Sequence, residues 1–482
     1  MTSAPPRTFY LIAVGGTAMT PLAGLLLARG HRVLGSDLPL YPPMSDRLAA
    51  LGIEVRPGFD ARNLPEGVDV VVVGNLAGKD NPELVAALER GLPVVSMPET
   101  LGREILAGRH PVVVAGTHGK TTTTAITAWL LETAGLSPGY LVGGEPRNFP
   151  SPSSLGTGAP FVIEGDEYST SYADKGPKFL HYGARTFVLT SVEFDHADLY
   201  QDLSAVKEAF RKGIALVPEG DSIVAYAGDP NVQELAKAAR ANVVYYGFPR
   251  ERHGGLTLDY AATDVTPGAF GSRFTILERG ALLANVETPL CGLHNVANAL
   301  AAAAVARSFG ASPRAITEGL ATFRGVKRRM EERGEAGGVT VVDDFAHHPT
   351  AVETTLRGAR DLYAGRRLWA VFEPRSHTAS RADFAEEYYR ALAVADGVGL
   401  ARPFHAARLS REGGPGALDV EAIATRLTAA GVEAFAAADA DALISALVPR
   451  LKPRDVVLGM SSGSFGGFHA KLLDALSTPP RP

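Results

Sequence analysis

Apolar and polar positions alternate along this 482-residue chain in two periods, and their order predicts its architecture. Short apolar runs at Phe9 to Val14, Arg32 to Ser36, Val68 to Gly74 and Val94 to Ser96 have the length and β-branched character of buried strands. Between them, Pro21 to Ala28 and Pro82 to Arg90 carry apolar residues at helical spacing. Such alternation reads as a parallel sheet covered by helices. A second series begins at Pro111 and runs through Phe161 to Ile163 and Thr186 to Thr190. After Asn242 the pattern becomes hairpin-like around residues 255 to 288, then gives an Ala-rich helix from Asn295 to Phe309. A third series starts near Val339 and ends with Val456 to Met460 and a final helix. The expectation is an α/β protein of three modules: residues 1–108, 109–333 and 334–482. Residues 146–160, dense in Pro, Ser and Gly, predict a flexible loop, and no internal repeat is evident.

Composition narrows the function classes. The net charge is −5 and no Lys/Arg-rich run occurs, so a nucleic-acid footprint is not expected. A single cysteine, Cys291, excludes an intramolecular disulfide and any cysteine-cluster metal site, which fits a reducing compartment. The apolar run after the Pro-rich start is too short for a signal sequence or membrane span, so a cytoplasmic protein without a membrane partner is expected.

The chemistry gathers where strands are expected to end. Val112-Val113-Val114-Ala115 breaks into Gly116-Thr117-His118-Gly119-Lys120-Thr121-Thr122 and then a helical pattern. Glycines let backbone N–H groups close round an anion, Lys120 can reach terminal phosphates and the Thr121 hydroxyl can hold Mg²⁺, so the segment reads as a shortened phosphate loop. Glu164-Gly165-Asp166-Glu167 and Glu193-Phe194-Asp195-His196 close two further strands, and Thr121, Glu164 and His196 form the expected Mg²⁺ ligands. Asn295 and Asn298 share one helix face, where they either bind a nucleoside or, for Asn295, cap the helix. Lys327-Arg328-Arg329 is either a surface charge run or a source of an interdomain phosphate clamp. Asp343-Asp344-Phe345-Ala346-His347-His348, the Arg375 turn and the Ser461 to Gly467 turn are expected on one sheet edge. Near the start, Gly15-Gly16-Thr17 follows a strand and Ser36-Asp37 ends the next, a broken dinucleotide fingerprint because Ala13 and Ala18 replace glycines.

Taken in order, these motifs resemble the Mur ligases of peptidoglycan metabolism over essentially the whole chain. The resemblance implies an N-terminal Rossmann-like UDP-binding domain, a central P-loop ATPase-like domain and a C-terminal Rossmann-like domain that binds the peptide. It implies an amide ligase that uses ATP and Mg²⁺ on small-molecule substrates. Asp166-Glu167-Tyr168, Asp174-Lys175, Lys178-Phe179, His181-Tyr182, Glu193-Phe194-Asp195-His196-Ala197-Asp198, Phe345-Ala346-His347-His348 and Phe465-Gly466-Gly467-Phe468-His469 are similar to members that add the tripeptide L-Ala-γ-D-Glu-meso-diaminopimelate to UDP-N-acetylmuramate. The alternative within the family is addition of L-alanine to that acceptor. Outside it stand an NAD-dependent oxidoreductase, which the broken glycine pattern disfavours, and a catalytically silent UDP-sugar-binding regulator.

By the same resemblance, Lys120, His196, Arg329 and His348 would be catalytic, and Gly116 to Thr122, Asn295, Asn298, Arg329 and Asp344 would hold ATP, Asp344 on the ribose. Gly15, Gly16, Thr17, Ser36 and Asp37 would hold the UDP portion, with His347 and Arg375 towards the peptide. A monomer is expected. Several family members carry a carbamylated lysine near the spacing at which this chain has Arg211, so carbamylation is not expected here.

Overall fold

Three sheets, one from each third of the chain, carry the architecture of the computed structural model, which describes residues 5–75, 77–251, 253–268, 271–409 and 416–477. In the first sheet the spatial order is Glu54–Pro57, Arg32–Asp37, Thr8–Ile12, Val70–Val73 and Val94–Ser96, all parallel. Four of these strands coincide with the apolar runs. Glu54–Pro57 has no apolar run to mark it, because an edge strand is covered on fewer sides. Strand order reverses about Thr8–Ile12, so a crevice opens beyond the carboxyl ends, beside the Gly15-Gly16 turn and Asp37.

The central sheet has ten strands. His110–Ala115 lies between Thr186–Leu189 and Pro160–Gly165, parallel to both, which places the three motif-bearing strand ends side by side. The sheet continues through Ser222–Tyr226 and Asn242–Gly247 to an antiparallel meander, Tyr260–Gly268, Gly271–Glu278 and Ala281–Thr288, the hairpins expected from the sequence. Helix Lys120–Thr133 packs along the Ala-rich helix Leu293–Ser308, whose residues Ala299 to Ala306 are all buried. Small side chains let the two backbones approach, and the short bulk of alanine explains why this interior helix lacks an amphipathic stripe. Residues 146–160 are not the free loop expected. Ser153–Ser154 pairs with Gly139–Leu141, Pro146 bridges to Val326, and the Arg109 guanidinium donates to the carbonyls of Leu155, Gly158 and Pro160.

The third sheet runs Glu331–Ala336, Val339–Asp344, Val456–Met460, Leu368–Phe372, Gly397–Ala401 and Glu433–Ala437, parallel except for its first strand. The edge strand Glu331–Ala336 straddles residue 333, where the sequence pattern breaks only later because Glu-Glu-Arg-Gly-Glu has no apolar run. Adjacent carboxyl ends of Val339–Asp344, Val456–Met460 and Leu368–Phe372 bring the Asp344, Ser461 and Arg375 turns onto one edge, as expected. Among the described residues no helix is long and apolar enough to cross a membrane.

Candidate active site

The phosphate loop is built for close approach. Gly116 has φ 138° and Gly119 φ 79°, and an added Cβ would lie 2.2 Å from Thr190 Oγ1 at the first and 2.5 Å from Asn298 Oδ1 at the second. Gly119 is also the N-cap of helix Lys120–Thr133 and offers no side-chain acceptor, so the first-turn N–H groups keep their capacity for an anion. Replacing Gly119 with alanine combines a left-handed backbone with that clash. The expected cost is about 1–3 kcal/mol of stability, read by urea unfolding, together with weaker nucleotide binding; an unchanged midpoint would show that Asn298 yields freely.

Lys120 closes the loop. Its Nζ donates to the carbonyls of Gly116 at 2.6 Å and Thr117 at 3.2 Å, and lies 2.9 Å from the Glu167 carboxylate. Burial works against the ammonium, but Glu167, Asp166 and Glu164 outweigh it and hold its pKa above the usual lysine value. On the far side Glu167 meets His196 Nε2 at 2.8 Å. Burial alone would lower the His196 pKa, yet Glu167 and Asp195 raise it, while burial of Asp195 is overcome by His196 and His347, leaving that carboxyl well below the usual range. His196 itself sits at φ 55°, with its ring 4.2 Å from that of Tyr168.

Thr121 and Glu164 meet as the sequence suggested: Oγ1 donates to Oε1 at 3.0 Å, and the other carboxylate oxygen accepts from Gly143 N at 2.9 Å. A Cβ on Gly143 would come within 2.5 Å of that oxygen. Burial pushes the Glu164 carboxyl up, offset in part by Lys120. The His196 imidazole is engaged by Glu167 rather than by a hydrogen bond to Thr121 or Glu164. Glu167 is the residue that motif reading passed over, since its place beside Asp166 gave no hint that it joins a lysine to a histidine. One Glu167 oxygen meets both Lys120 and His196, and the other lies 2.9 Å from Lys120 Nζ.

Arg329 arrives from the segment joining the second and third sheets, and its Nη2 lies 3.4 Å from Thr121 Oγ1 while its guanidinium stacks 5.0 Å from the Phe345 ring. Of the adjacent cations, Arg328 turns the other way, donating to the carbonyls of Ser461 and Gly463, and Lys327 pairs with Glu145. Asp344 accepts from Met330 N and Ala346 N, both at 2.7 Å, and burial raises its pKa. Asn298 joins the loop helix, accepting from Thr123 Oγ1 at 3.1 Å and donating to Asn295 Oδ1. Asn295 lies in the first turn and donates to Cys291 O, whereas Gly292 occupies the cap position, so Asn295 is not the helix cap.

His348 caps helix Pro349–Leu362, places its ring 4.7 Å from that of His118 and lies 3.4 Å from Glu193, which His118 Nε2 approaches at 3.3 Å. His347 faces Asp195 at 3.8 Å. Arg375 lies over the Phe404 ring at 4.2 Å and beside Glu373 at 3.6 Å, packed against Gly463.

The first-module residues divide. Gly15 N donates to Asp37 Oδ2 at 2.7 Å, so the turn and the acid form one unit at the crevice, with Thr17 exposed beside them. Ser36 is fully buried against Glu83 and faces away from solvent. Arg211 pairs with Glu208 and Glu234 on an outer helix face and takes no part in the site.

Three family models match the chain in succession. The one described as "Mur ligase family, catalytic domain" matches residues 8–109, "Mur ligase middle domain" residues 114–306, and "Mur ligase, glutamate ligase domain" residues 328–463. UDP-N-acetylmuramate–L-alanyl-γ-D-glutamyl-meso-2,6-diaminoheptandioate ligase of Escherichia coli is 38% identical over 470 residues, covering 97% of this chain and 98% of that protein. UDP-N-acetylmuramate–L-alanine ligase of an Anaeromyxobacter species is 36% identical over 471 residues, covering 98% of each. The crystal structure of a murein peptide ligase from Psychrobacter arcticus superposes with a TM-score of 0.71 at 33% identity, covering 99% of this chain and 100% of that one.

Proposed function

The chain belongs to the Mur ligase family, and from that premise we propose that it joins the tripeptide L-Ala-γ-D-Glu-meso-diaminopimelate to UDP-N-acetylmuramate, using ATP, in peptidoglycan recycling. The observation that carries the ligase chemistry is the meeting of Arg329 with Thr121 across a module junction. It sets two cations, Lys120 and Arg329, around the mouth of one phosphate loop. Phosphoryl transfer needs charge offset and positioning more than covalent help.

In this reading the γ-phosphoryl group of ATP passes to the lactyl carboxylate of UDP-N-acetylmuramate. The peptide α-amine attacks the resulting acyl phosphate, and phosphate leaves with formation of the amide. Lys120 and Arg329 offset charge on the transferring oxygens; the open N–H groups of the loop hold the remaining phosphates. Asp344, Asn295 and Asn298 bind the adenosine. His348 and His347 lie towards the incoming amine, Arg375 towards a peptide carboxylate, and Gly15, Gly16, Thr17 and Asp37 line the crevice for UDP, with Ser36 behind it.

The donor set at Thr121 and Glu164 fits Mg²⁺. It is a hydroxyl and a half-buried carboxylate whose raised pKa marks an environment wanting positive charge, in a cradle that a Cβ on Gly143 would fill. When bound there, the ion supplies further charge neutralisation at the phosphates. His196 would orient through Glu167, one oxygen of which meets both His196 and Lys120. Both nucleotides of the reaction are cytoplasmic metabolites, so the protein would act on small molecules there, and one chain supplies every residue named in the site, as a monomer requires. The modules take the bounds 1–108, 109–333 and 334–482, the last junction falling within the strand Glu331–Ala336.

Tripeptide addition is favoured over L-alanine addition by the similarity to the Escherichia coli diaminoheptandioate-adding ligase and the Psychrobacter arcticus murein peptide ligase. Here Lys178 pairs with Asp166 at 2.7 Å and His181 with Asp174 at 2.8 Å. Both build a structured segment from the residues that resemble tripeptide ligases. The expected result is ATP-dependent phosphate release with UDP-N-acetylmuramate plus tripeptide, and a rate at least tenfold lower with L-alanine, about 1.4 kcal/mol of discrimination. Efficient turnover with L-alanine alone would transfer the assignment to the alanine-adding ligase.

A further inference from the structure

We propose that His118, Glu193 and His348 form a binding site for a transition-metal ion, zinc above all, distinct from the oxygen donors at Thr121 and Glu164. One nitrogen from each imidazole and one Glu193 oxygen lie within 4.8 Å of one another. Two of the three edges of that triangle are known more closely: His118 Nε2 to Glu193 Oε2 is 3.3 Å, and His348 Nδ1 to the same oxygen is 3.4 Å. A tetrahedron whose ligands stand about 2.0–2.1 Å from a zinc ion has edges of about 3.3 Å, so these atoms already stand at coordination spacing.

The surroundings orient the ligands as a metal site requires. His348 Nε2 lies 3.2 Å from the Phe194 carbonyl, which sets the proton on that nitrogen and leaves Nδ1 unprotonated. Nδ1 now accepts a long 3.4 Å bond from Thr350 N, which an ion would replace. Thr350 Oγ1 donates to Glu193 Oε2 at 2.7 Å and fixes the carboxylate. Burial opposes ionisation of Glu193, but His118 and His348 hold its carboxyl down to about 2, and burial holds His348 down to about 4. At neutral pH the carboxylate is ionised and the His348 imidazole neutral. Two imidazoles and one carboxylate suit zinc and disfavour Mg²⁺, which prefers oxygen throughout. Three protein ligands leave a fourth position for water or a phosphate oxygen.

The ligands come from the phosphate loop, a central strand end and the first helix of the third sheet's module. The ion therefore ties the third module to the phosphate loop and removes His118 from nucleotide binding, which makes it an inhibitor of turnover. Binding itself does not depend on the ligase assignment, so it is measured on the full-length protein without substrates. With Mg²⁺ in large excess, Zn²⁺ titrated by calorimetry should bind at one equivalent, and Co²⁺ should give the intense visible bands of a four-coordinate centre. His348→Ala should weaken Zn²⁺ binding by roughly 100-fold, since even outer-shell partners of such ligands are worth about 10–100-fold. Glu193→Gln, which preserves shape, should do so by at least about tenfold, and serves if the alanine variant does not fold. His181→Ala, whose imidazole pairs with Asp174, should bind as the unaltered protein does. Absence of Zn²⁺ binding, undiminished affinity in Glu193→Gln, or only the weak bands of six-coordinate cobalt would overturn the site.

Discussion

Lys120→Ala is expected to lower amide formation at least about a thousandfold while leaving UDP-N-acetylmuramate binding measurable. A preorganised cation at a transferring phosphoryl group is worth on the order of 10³ or more in rate, roughly 4 kcal/mol of transition-state stabilisation. Here the ammonium is held by two loop carbonyls and by Glu167, so it is in place before any nucleotide arrives. Its removal does more than subtract one positive charge. Glu164, Asp166 and Glu167 all act on Lys120, and without it the same pocket presents carboxylates to a polyanion. Nucleotide affinity should therefore fall together with kcat. The first-module crevice shares no residue with this cluster, which is why acceptor binding should survive. Phosphate release and chromatographic detection of the amide product measure the loss, and calorimetry with UDP-N-acetylmuramate measures what remains. Unimpaired turnover would remove Lys120 from the mechanism. Loss of both activities together would indicate misfolding, and Lys120→Met, which keeps the apolar stem, then separates charge from packing.

Strand-end chemistry was legible in the sequence because parallel sheets collect their functional residues at carboxyl ends, and each apolar run announces where such an end falls. The phosphate loop, the Thr121–Glu164 contact and the shared edge of the Asp344, Arg375 and Ser461 turns follow from that rule. What stayed hidden was pairing across the chain. Glu167 and Glu193 looked like members of acidic turns, and only folding shows that one joins Lys120 to His196 and the other lies between His118 and His348. The Lys327-Arg328-Arg329 triplet shows the same limit: its three cations go to Glu145, to carbonyls of the Ser461 turn and to Thr121. Spacing cannot distinguish them, because Arg328 and Met330 both have positive φ and the backbone there follows no regular period. Ser36 illustrates the converse. A hydroxyl at a strand end reads as a ligand contact, yet Glu83 from helix Pro82–Glu89 takes it inward.

Stability is expected to fall steadily as pH drops from about 6.5 towards 4, before most carboxylates titrate. His348 is almost wholly buried, 6% exposed, and burial followed by repulsion from His118 lowers its pKa to about 4, despite Asp195 and Glu193. In the unfolded chain it titrates near 6.5. Between these values the unfolded state binds a proton that the folded state refuses, so the folded state loses ground at about 1.4 kcal/mol per pH unit, roughly 3 kcal/mol across the window. His294 adds in the same direction, lowered to about 4 by burial and then by Arg329 and His118, but it is only half-buried and water screens part of its share. His196 does not cancel the loss, because its raised pKa makes its contribution fully present below 6.5 and lost only on the alkaline side. Glu193, held down to about 2, adds its own loss only below the usual carboxylate range near 4.5. Urea unfolding at a series of pH values isolates the window, and His348→Gln should flatten the slope by close to one proton while leaving the loss below pH 4.5. A profile equally steep in that variant would assign the acid sensitivity to other groups. A flat profile in the unaltered protein would mean that His348 accepts its proton in the folded state, which its burial, the Thr350 N–H donated to its Nδ1 at 3.4 Å and its packing against the Phe384 ring at 5.7 Å make costly.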